Sequence, residues 1–294
     1  MIVIAGALVV FFSVIGGFWL AGGNALNLLH ISEFVIICGA GGGALVVMSP
    51  RQVLIDLAKK AGATLKGAPH SRESYNELFK ALYELFMLGR RGGMVALEEH
   101  VMNPETSQIF AKYPTFQKEK KAMEFLCNGL RPIIDGKIKP DHLKMLLEIE
   151  LDAIEEEHER PVSVLTKAAD AMPGFGIVAA VLGIVLTMSA ISGPIEQIGE
   201  KVGAALVGTF LGVLMCYGVV GPLAANMGKA AAEHNEYLHV LRLLLLAFLK
   251  GSAPMIAIEM GRRAIPAHAR PGFDEMEKTC KNKSEAVETT AAAA

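Results

Sequence analysis

The sequence predicts an all-α membrane protein with four transmembrane helices, arranged as two hairpins around a large helical cytoplasmic insertion. The first observation is composition: of 294 residues, 52% are hydrophobic and only 20% are charged, and the mean hydropathy is +0.40. A soluble domain usually has about 25% charged residues. A wholly soluble globular chain and a disordered chain are therefore both excluded.

The second observation is where the charges are missing. Residues 1–32, 34–50, 171–195 and 202–228 contain no Asp, Glu, Lys or Arg, whereas 51–170 is normally charged. Because a helix rises 1.5 Å per residue, about 20 apolar residues cross a bilayer core of roughly 30 Å. The predicted spans are 2–21, 34–50, 172–192 and 202–223.

The third observation is the distribution of Lys and Arg. Loop 22–33 contains neither, and loop 193–201 contains only Lys201, whereas basic residues flank the opposite ends of the spans. The positive-inside rule then places both termini in the cytoplasm. The predicted domains are transmembrane helices 1 and 2 (1–50), a cytoplasmic helical domain (51–170), transmembrane helices 3 and 4 (171–223), and a cytoplasmic helical segment with a disordered tail from Asn282 (224–294).

Smaller features of the cytoplasmic parts are also predicted. Gly92-Gly93 ends a helix whose last turn carries two arginines, and Asn103-Pro104 has the pattern of a helix start. Residues 238–249 form an apolar run that is too short to span a bilayer and contains Arg242. We predict a buried or interfacial cytoplasmic helix there.

Several functional classes are disfavoured. The net charge is −2, so no basic surface for nucleic acid is expected. The four cysteines are widely separated, which excludes a disulfide framework. The glycines of 39–44 resemble a dinucleotide fingerprint but lie inside an apolar span. No metal or catalytic cluster is evident, so neither an enzyme activity nor a cofactor is expected.

The most informative feature is an absence of ionisable groups within the predicted spans. Ion-driven membrane machines usually need an ionisable group inside the bilayer. Either this chain carries no ion, or a partner helix supplies the carboxylate. The second alternative fits the pairs of small residues that allow close helix approach: Gly39 with Gly43, Gly199 with Gly203, and Gly208 with Gly212.

At this point the residues resemble a known family, the flagellar motor stator subunit MotA. The matching segments are 90–98 (RRGGMVALE), 103–110 (NPETSQIF), 173–180 (PGFGIVAA), 206–218 (LVGTFLGVLMCYG) and 222–224 (PLA). The likeness extends from residue 1 to about 280. The chain is also distantly similar to the biopolymer-transport and Tol energising subunits, which have three spans rather than four.

The resemblance implies partners and a location. It implies a multi-pass protein of the bacterial inner membrane, forming a homopentamer around a MotB dimer, in contact with membrane lipid. Each MotB-like subunit has one span with a membrane aspartate that carries the proton. The transported ion is then H⁺, and the torque acts on the rotor C-ring switch protein.

The resemblance also implies site residues. Rotor contact falls on Arg90 and Glu98, with Glu150 contributing to the same surface. Their neighbours Arg91 and Glu99 have the same charges, and either could share the contact.

The proton path and its coupling fall on Pro173, Pro222, Thr209 and Ala180. Both prolines lie at predicted span ends, where a missing N–H costs least. A lone Thr in a span often bonds its own backbone instead. Sodium-type relatives carry Thr where this chain has Ala180, so one oxygen ligand for a hard cation is missing and proton coupling is expected.

Two other functions remain open. One is an energising subunit of an outer-membrane uptake system of the TonB or Tol kind, which uses the same ion for a different client. The other is a small-solute transporter, which would need polar groups near the midplane or broken central helices. The sequence shows neither of these clearly.

Overall fold

The computed structural model describes residues 2–28, 30–65, 70–136, 138–189 and 191–281, and all regular structure in these ranges is helical. The all-α prediction is therefore confirmed. The predicted disordered tail from Asn282 lies outside the described residues.

The described residues form twelve α-helices joined by short 3₁₀ turns and one π-helical segment, Met215–Val220. The helices are α1 (Ile2–Leu20), α2 (Ile31–Met48), α3 (Arg51–Thr64), α4 (Arg72–Gly92), α5 (Glu98–Met102), α6 (Pro114–Lys118), α7 (Lys120–Ile134), α8 (Pro140–Met188), α9 (Ile195–Leu214), α10 (Gly221–Leu249), α11 (Pro254–Ala264) and α12 (Phe273–Lys281).

The chain divides into two compact units, each built from two separate stretches of sequence. Unit 1 comprises Met1–Gly67 and Glu157–Ala231, and unit 2 comprises Ala68–Glu156 and Ala232–Ala294. The long helices α8 and α10 contribute residues to both.

Unit 1 contains helices that are long and apolar enough to cross a membrane. Four helical runs in the described residues meet that criterion by length and composition: Val3–Leu20, Ile31–Met48, His142–Met188 and Ile195–Leu249. The last two are longer than a crossing requires, because 18 to 20 residues suffice for the bilayer core. Four candidate spans are thus present, as the sequence predicts.

The surface of unit 1 is largely apolar. Phe12 and Trp19 of α1 are 66% and 69% exposed, and Val185 of α8 is 61% exposed. Exposed apolar area of this extent is expected where lipid or another chain is the neighbour. Only small clusters are buried within the unit, including one in which Leu57, Leu165 and Met227 bring α3, α8 and α10 together.

The two prolines predicted at span ends do not mark helix ends. Pro173 lies inside α8, and Pro222 lies two residues after the π-helical segment, within helix that continues from α9 into α10. A proline in a helix removes one backbone hydrogen bond and clashes with the carbonyl four residues earlier. The π turn, in which the N–H of Gly221 donates to the Cys216 carbonyl oxygen, is a local adjustment that accommodates such a residue.

The absence of charge within the spans also needs one correction. Helix α2 begins at Ile31, three residues before the predicted span, and so includes Glu33 in its first turn. Glu33 is 5% exposed and accepts a hydrogen bond from the Ser32 hydroxyl at 2.7 Å. A carboxylate near the N-terminus is electrostatically favourable for the helix.

Unit 2 has a continuous hydrophobic core. Its largest fully buried side chains include Phe79 and Phe86 of α4, Phe125 of α7 and Tyr237 of α10. The predicted helix at 238–249 is the end of the longer helix α10 rather than an element of its own, and its burial is as expected. Its Arg242 is accommodated by an ion pair with Glu148 of α8 at 2.8 Å.

The predicted helix start at Asn103-Pro104 is wrong. Asn103 caps the C-terminus of the short helix α5, and its carbonyl accepts a hydrogen bond from the Thr106 N–H in a turn. An Asn-Pro pair favours turns as well as helix starts, and no periodic helix follows here to decide between them.

Candidate functional site

The Arg90 to Glu98 segment forms a tight corner in unit 2. Arg90 lies in the last turn of α4, and Gly93 ends that helix with φ of +76° and ψ of 178°. A 3₁₀ turn over Met94–Leu97 then leads directly into α5, whose first residue is Glu98. Leu97 is fully buried against Gly89, where a Cβ would lie 3.1 Å from a Leu97 methyl group. Arg90 directly follows Gly89, and Glu98 directly follows Leu97. Because Gly89 and Leu97 pack together, the corner holds both charges in a defined arrangement.

Arg90 and Glu98 are both exposed. Within the described residues, neither forms an ion pair or side-chain hydrogen bond. Arg91, by contrast, has an interaction within the chain. The charges at Arg90 and Glu98 are therefore available to another molecule, while Arg91 is already engaged.

Glu150 has a different environment in the same unit. It lies on α8, is partly buried, and accepts a hydrogen bond from the Asn128 side-chain amide of α7 at 3.5 Å. Burial is the main cause of its raised pKa, the Asn128 amide opposes that shift, and the nearby Glu124 carboxylate adds to it. The described contacts connect Glu150 with α7, and none connects it with the corner at Arg90 and Glu98.

The second group of predicted residues lies where α8 and α9 cross in unit 1. The crossing is made by glycines: a Cβ on Gly212 would lie 2.7 Å from the Met172 carbonyl oxygen and 2.9 Å from the Gly176 Cα. A Cβ on Gly176 would lie 2.8 Å from the Gly208 carbonyl oxygen. The pair Gly208 and Gly212 therefore allows the close backbone approach that the sequence predicts.

The other two glycine pairs pack differently. A Cβ at any of Gly39, Gly43, Gly199 and Gly203 would meet no described atom within 4 Å. These pairs are thus not used for packing within the described chain, and the prediction that they pack against other helices remains a prediction.

Thr209 and Ala180 adjoin the crossing. A Cβ on Gly176 would lie 3.3 Å from the Thr209 Cα, and one on Gly208 would lie 3.3 Å from the Ala180 backbone nitrogen. Thr187 donates to the Gly183 carbonyl oxygen at 2.8 Å. In the described part of the chain the Thr209 hydroxyl has no such bond, so the usual backbone-bonded state of a helical Thr does not apply to it.

Pro173 and Pro222 are connected through a small buried cluster. Met172, which precedes Pro173, packs with Ala169 and with Cys216 of the π-helical segment. That segment ends two residues before Pro222. The structure thus brings the Pro173 region of α8 beside the irregular turn that precedes Pro222.

One constellation is not predicted by the sequence pattern. In unit 2, His70, Glu119 and His234 come together, with one ligand-type atom from each lying within 4.8 Å of the others. These residues are far apart in sequence and belong to no short motif, so only the folded chain brings them together.

Family models match two parts of the chain. Residues 4–93 match the model described as "Motility protein A N-terminal". Residues 117–238 match the model of the MotA/TolQ/ExbB proton channel family.

Curated relatives match almost the whole chain. The chemotaxis protein LafT of Vibrio parahaemolyticus is 37% identical over 273 residues, which are 93% of this chain and 96% of the relative. Motility protein A of Salmonella typhimurium is 35% identical over 278 residues, covering 95% of this chain and 94% of the relative. The chain belongs to the MotA family. The resemblance inferred from the sequence is therefore confirmed.

Solved structures agree with the MotA fold. The chain matches the structure of Campylobacter jejuni MotAB with a TM-score of 0.75 and 19% identity, covering 90% of this chain and 95% of the other. The flagellar MotAB stator complex of Bacillus subtilis matches with a TM-score of 0.72 and 22% identity, over 90% of this chain and 95% of the other. Together with the four apolar helical runs, MotA membership makes the chain a multi-pass inner-membrane protein.

Proposed function

We propose that the chain is a stator subunit of the bacterial flagellar motor, which forms with a MotB-like partner a proton-conducting complex that exerts torque on the rotor. The observation that carries this proposal is the identity of 35% with Salmonella motility protein A over 95% of the chain. A match of this extent includes both the apolar helices and the corner at Arg90 and Glu98.

The proposed topology has two membrane hairpins. Spans 1 and 2 would come from α1 and α2, and spans 3 and 4 from the apolar parts of α8 and α9, with both termini in the cytoplasm. The positive-inside bias supports this orientation. Unit 2 would then face the cytoplasm, where a rotor can be reached.

The proposed proton path needs a partner helix. Proton-driven machines usually load the ion on a group within the bilayer, and a MotB-like aspartate would supply it. The Thr209 hydroxyl, beside the α8–α9 crossing and without a bond in the described chain, is suited to face that carboxylate. Pro173 and the π turn before Pro222 mark the irregular helix positions at which proton loading could be coupled to helix movement.

The proposed rotor contact is made by exposed charges. Arg90, Glu98 and Glu99 are exposed charges at the corner, and their side chains have no partner within the described chain; the family resemblance is what selects Glu98 over Glu99. Exposed ion pairs contribute only about 0–1 kcal/mol each. Their role would therefore be to steer the rotor protein and to set its register more than to bind it tightly.

The proposed ion is the proton. The backbone nitrogen of Ala180 adjoins Gly208 at the crossing. The Ala180 side chain is a methyl group, which offers no oxygen to a sodium ion, a hard cation that needs several such ligands. Rotation of the unaltered motor that depends on external sodium would contradict this assignment.

Deletion of the gene tests the proposed function. Cells without it are expected to keep their filaments, seen by microscopy, but to lose spreading in soft agar, and the wild-type gene is expected to restore spreading. Normal swimming of the deletion strain, combined with loss of an outer-membrane uptake activity, would instead identify an energising subunit of the TonB or Tol kind.

A further inference from the structure

Unit 2 contains a pair of imidazole rings, one buried and one partly buried, with a carboxylate beside them. Nε2 of His70 and Nδ1 of His234 lie 3.0 Å apart. Glu119 brings the third donor, and one ligand-type atom of each residue lies within 4.8 Å of the others. His70 precedes α4, Glu119 occupies the junction between α6 and α7, and His234 lies on α10. Three separate segments of the chain therefore deliver donors to one place.

The surroundings hold this cluster in a defined position. The Tyr237 ring stacks on His70 with centroids 4.1 Å apart and an angle of 5° between the rings. His70 is 7% exposed and Tyr237 is fully buried. A ring held on one face by a buried aromatic side chain has little freedom to rotate, which is what a pre-organised ligand requires.

The donor atoms of the cluster suit a cation. Burial lowers the pKa of His70 to about 4, so its imidazole is neutral at physiological pH. Glu119 is half-buried, and in the described part of the chain its carboxylate has no hydrogen-bond or ion-pair partner. Buried charges are normally paired or coordinate a metal, and neutral imidazole is the form that binds one.

We propose that His70, Glu119 and His234 form a zinc site that joins three segments of unit 2. Two imidazole nitrogens and a carboxylate oxygen are a donor set that Zn²⁺ accepts in tetrahedral geometry, with water in the fourth position. At the usual Zn–N length, two nitrogens of a tetrahedral site lie about 3.3 Å apart, so the 3.0 Å separation here needs to open only slightly. Zinc takes the place of the proton that lies between the two ring nitrogens. A neutral ring that carried this proton on its ligating nitrogen then carries it on its other nitrogen, so the ligand stays a neutral imidazole.

The choice of metal follows from the donors. Mg²⁺ and Ca²⁺ prefer sets made of oxygen atoms, whereas imidazole suits zinc and neighbouring transition metals. The proposal does not depend on the proposed stator function, because it concerns only contacts within unit 2. Its consequence would be a cross-link between the segment before α4, the start of α7 and helix α10.

The test uses the full-length chain purified in detergent without a polyhistidine tag. After treatment with a chelator, the protein is titrated with Zn²⁺ and with Mg²⁺, and bound metal is measured by equilibrium dialysis and elemental analysis. The expected result is about one high-affinity Zn²⁺ per chain, a rise in melting temperature with Zn²⁺, and no effect of Mg²⁺.

Single variants assign the ligands. His70→Gln, His234→Gln and Glu119→Gln should each weaken Zn²⁺ binding by at least about tenfold, since even residues that only support metal ligands cost 10- to 100-fold. His239→Gln is the matched control, because His239 lies on the same helix and is exposed. Co²⁺ in place of zinc should give the visible absorption bands of a tetrahedral site in the wild-type protein and in His239→Gln.

A variant could lose zinc binding because it fails to fold, and the melting temperature of Glu119→Gln excludes this explanation. Glu119→Gln changes a half-buried carboxylate that has no partner in the described chain, so it should retain the melting temperature of the metal-free protein. Wild-type protein that binds no Zn²⁺ beyond the level of the His70→Gln, His234→Gln double variant would overturn the proposal. Zinc binding that Glu119→Gln leaves unchanged would overturn the three-ligand site.

Discussion

At the scale of single residues, two adjacent arginines differ in their interactions within the chain. The side chains of Arg90 and Glu98 have no partner in the described residues, whereas Arg91 has an interaction within the chain. A charge that is already engaged is less available to a second molecule, because the new contact must replace the old one. The proposed rotor contact is therefore expected at Arg90 rather than at Arg91.

The first prediction concerns these charges. In the deletion strain, the double variant Arg90→Glu, Glu98→Lys should fail to restore swimming, while its membrane level stays at the wild-type value because both side chains are exposed. Arg91→Ala is the control, because Arg91 already has an interaction within the chain, and it should retain most of the swimming speed. If the double reversal swims normally, the assignment of rotor contact to these residues is wrong.

A second residue-scale prediction concerns stability in acid. Hydrogen bonding by Arg262 lowers the pKa of Glu259 in α11 to about 2, with Arg263 contributing and burial opposing. A folded-state pKa below the unfolded value stabilises the fold above about pH 4.5, and this stabilisation is lost as the pH falls towards 2.

The variant Glu259→Gln measures that contribution. At pH 7 it should lower the stability of unit 2 by about 1–3 kcal/mol, the range for hydrogen bonds to charged groups, and this difference should shrink as the pH falls below 4.5. Thermal unfolding between pH 7 and pH 3 checks this. Glu277→Gln is the control, since the Glu277–Lys281 pair is more exposed. A loss of stability equal at all pH values would contradict the account.

At the scale of elements, the sequence predicted helices well and their ends less well. Gly92-Gly93 ends α4 as predicted, because a glycine there takes a backbone conformation that other residues avoid. The helix start predicted at Asn103-Pro104 is absent, because the same pair of residues occurs both at helix starts and in turns. Pro173 and Pro222 lie within continuous helix, where Met172 of α8 packs with Cys216 of the π turn, and such tertiary contacts leave no local pattern in the sequence.

The conformation of Gly93 leads to a third prediction. Its φ of +76° and ψ of 178° lie in a region used almost only by glycine. Gly93→Ala should cost about 1–3 kcal/mol, shift Glu98 relative to Arg90 and reduce swimming.

Gly136 provides a matched control for that variant. It also has positive φ, +66°, but it lies in the turn after α7 rather than at the corner. Gly136→Ala should cause a comparable fall in melting temperature with much less effect on swimming. Equal motility defects in the two variants would mean that general instability, and not the shape of the corner, is responsible.

The crossing of α8 and α9 gives a fourth prediction. A Cβ on Gly212 would come within 2.7 Å of the Met172 carbonyl oxygen, so Gly212→Ala must push the helices apart, at a cost of about 1–3 kcal/mol. Melting of the purified protein and swimming of cells should both decline. At Gly6, where a Cβ would meet nothing within 4 Å, the alanine variant should behave as wild type, and an equal defect there would contradict the packing argument.

At the scale of the whole molecule, the sequence predicted the all-α class, four apolar helical runs and the family. These features depend on composition and on segments of consecutive residues, which a single sequence displays directly. The cluster of His70, Glu119 and His234 could not be predicted, because its members lie up to 164 positions apart and share no helix. The engagement of Arg91 was also beyond prediction, since it depends on how unit 2 folds.

The missing carboxylate is the central feature at this scale. The predicted spans contain no acidic residue, and the acidic residues at the helix starts are Glu33 in α2 and Glu196 and Glu200 in α9. A complex that turns ion flow into torque then needs a second type of subunit. The account therefore predicts that this chain generates no rotation by itself and does so only with a MotB-like partner.

Rotation of single motors tests the central claim most directly. In a deletion strain with intact filaments, a bead is attached to a filament stub, and expression of the chain is induced in the presence of its MotB-like partner. The account predicts that rotation begins on induction, stops when a protonophore collapses the proton gradient, and is unaffected by removal of external sodium. A motor that stays stationary after induction, or that turns equally well in cells lacking the chain, would contradict it.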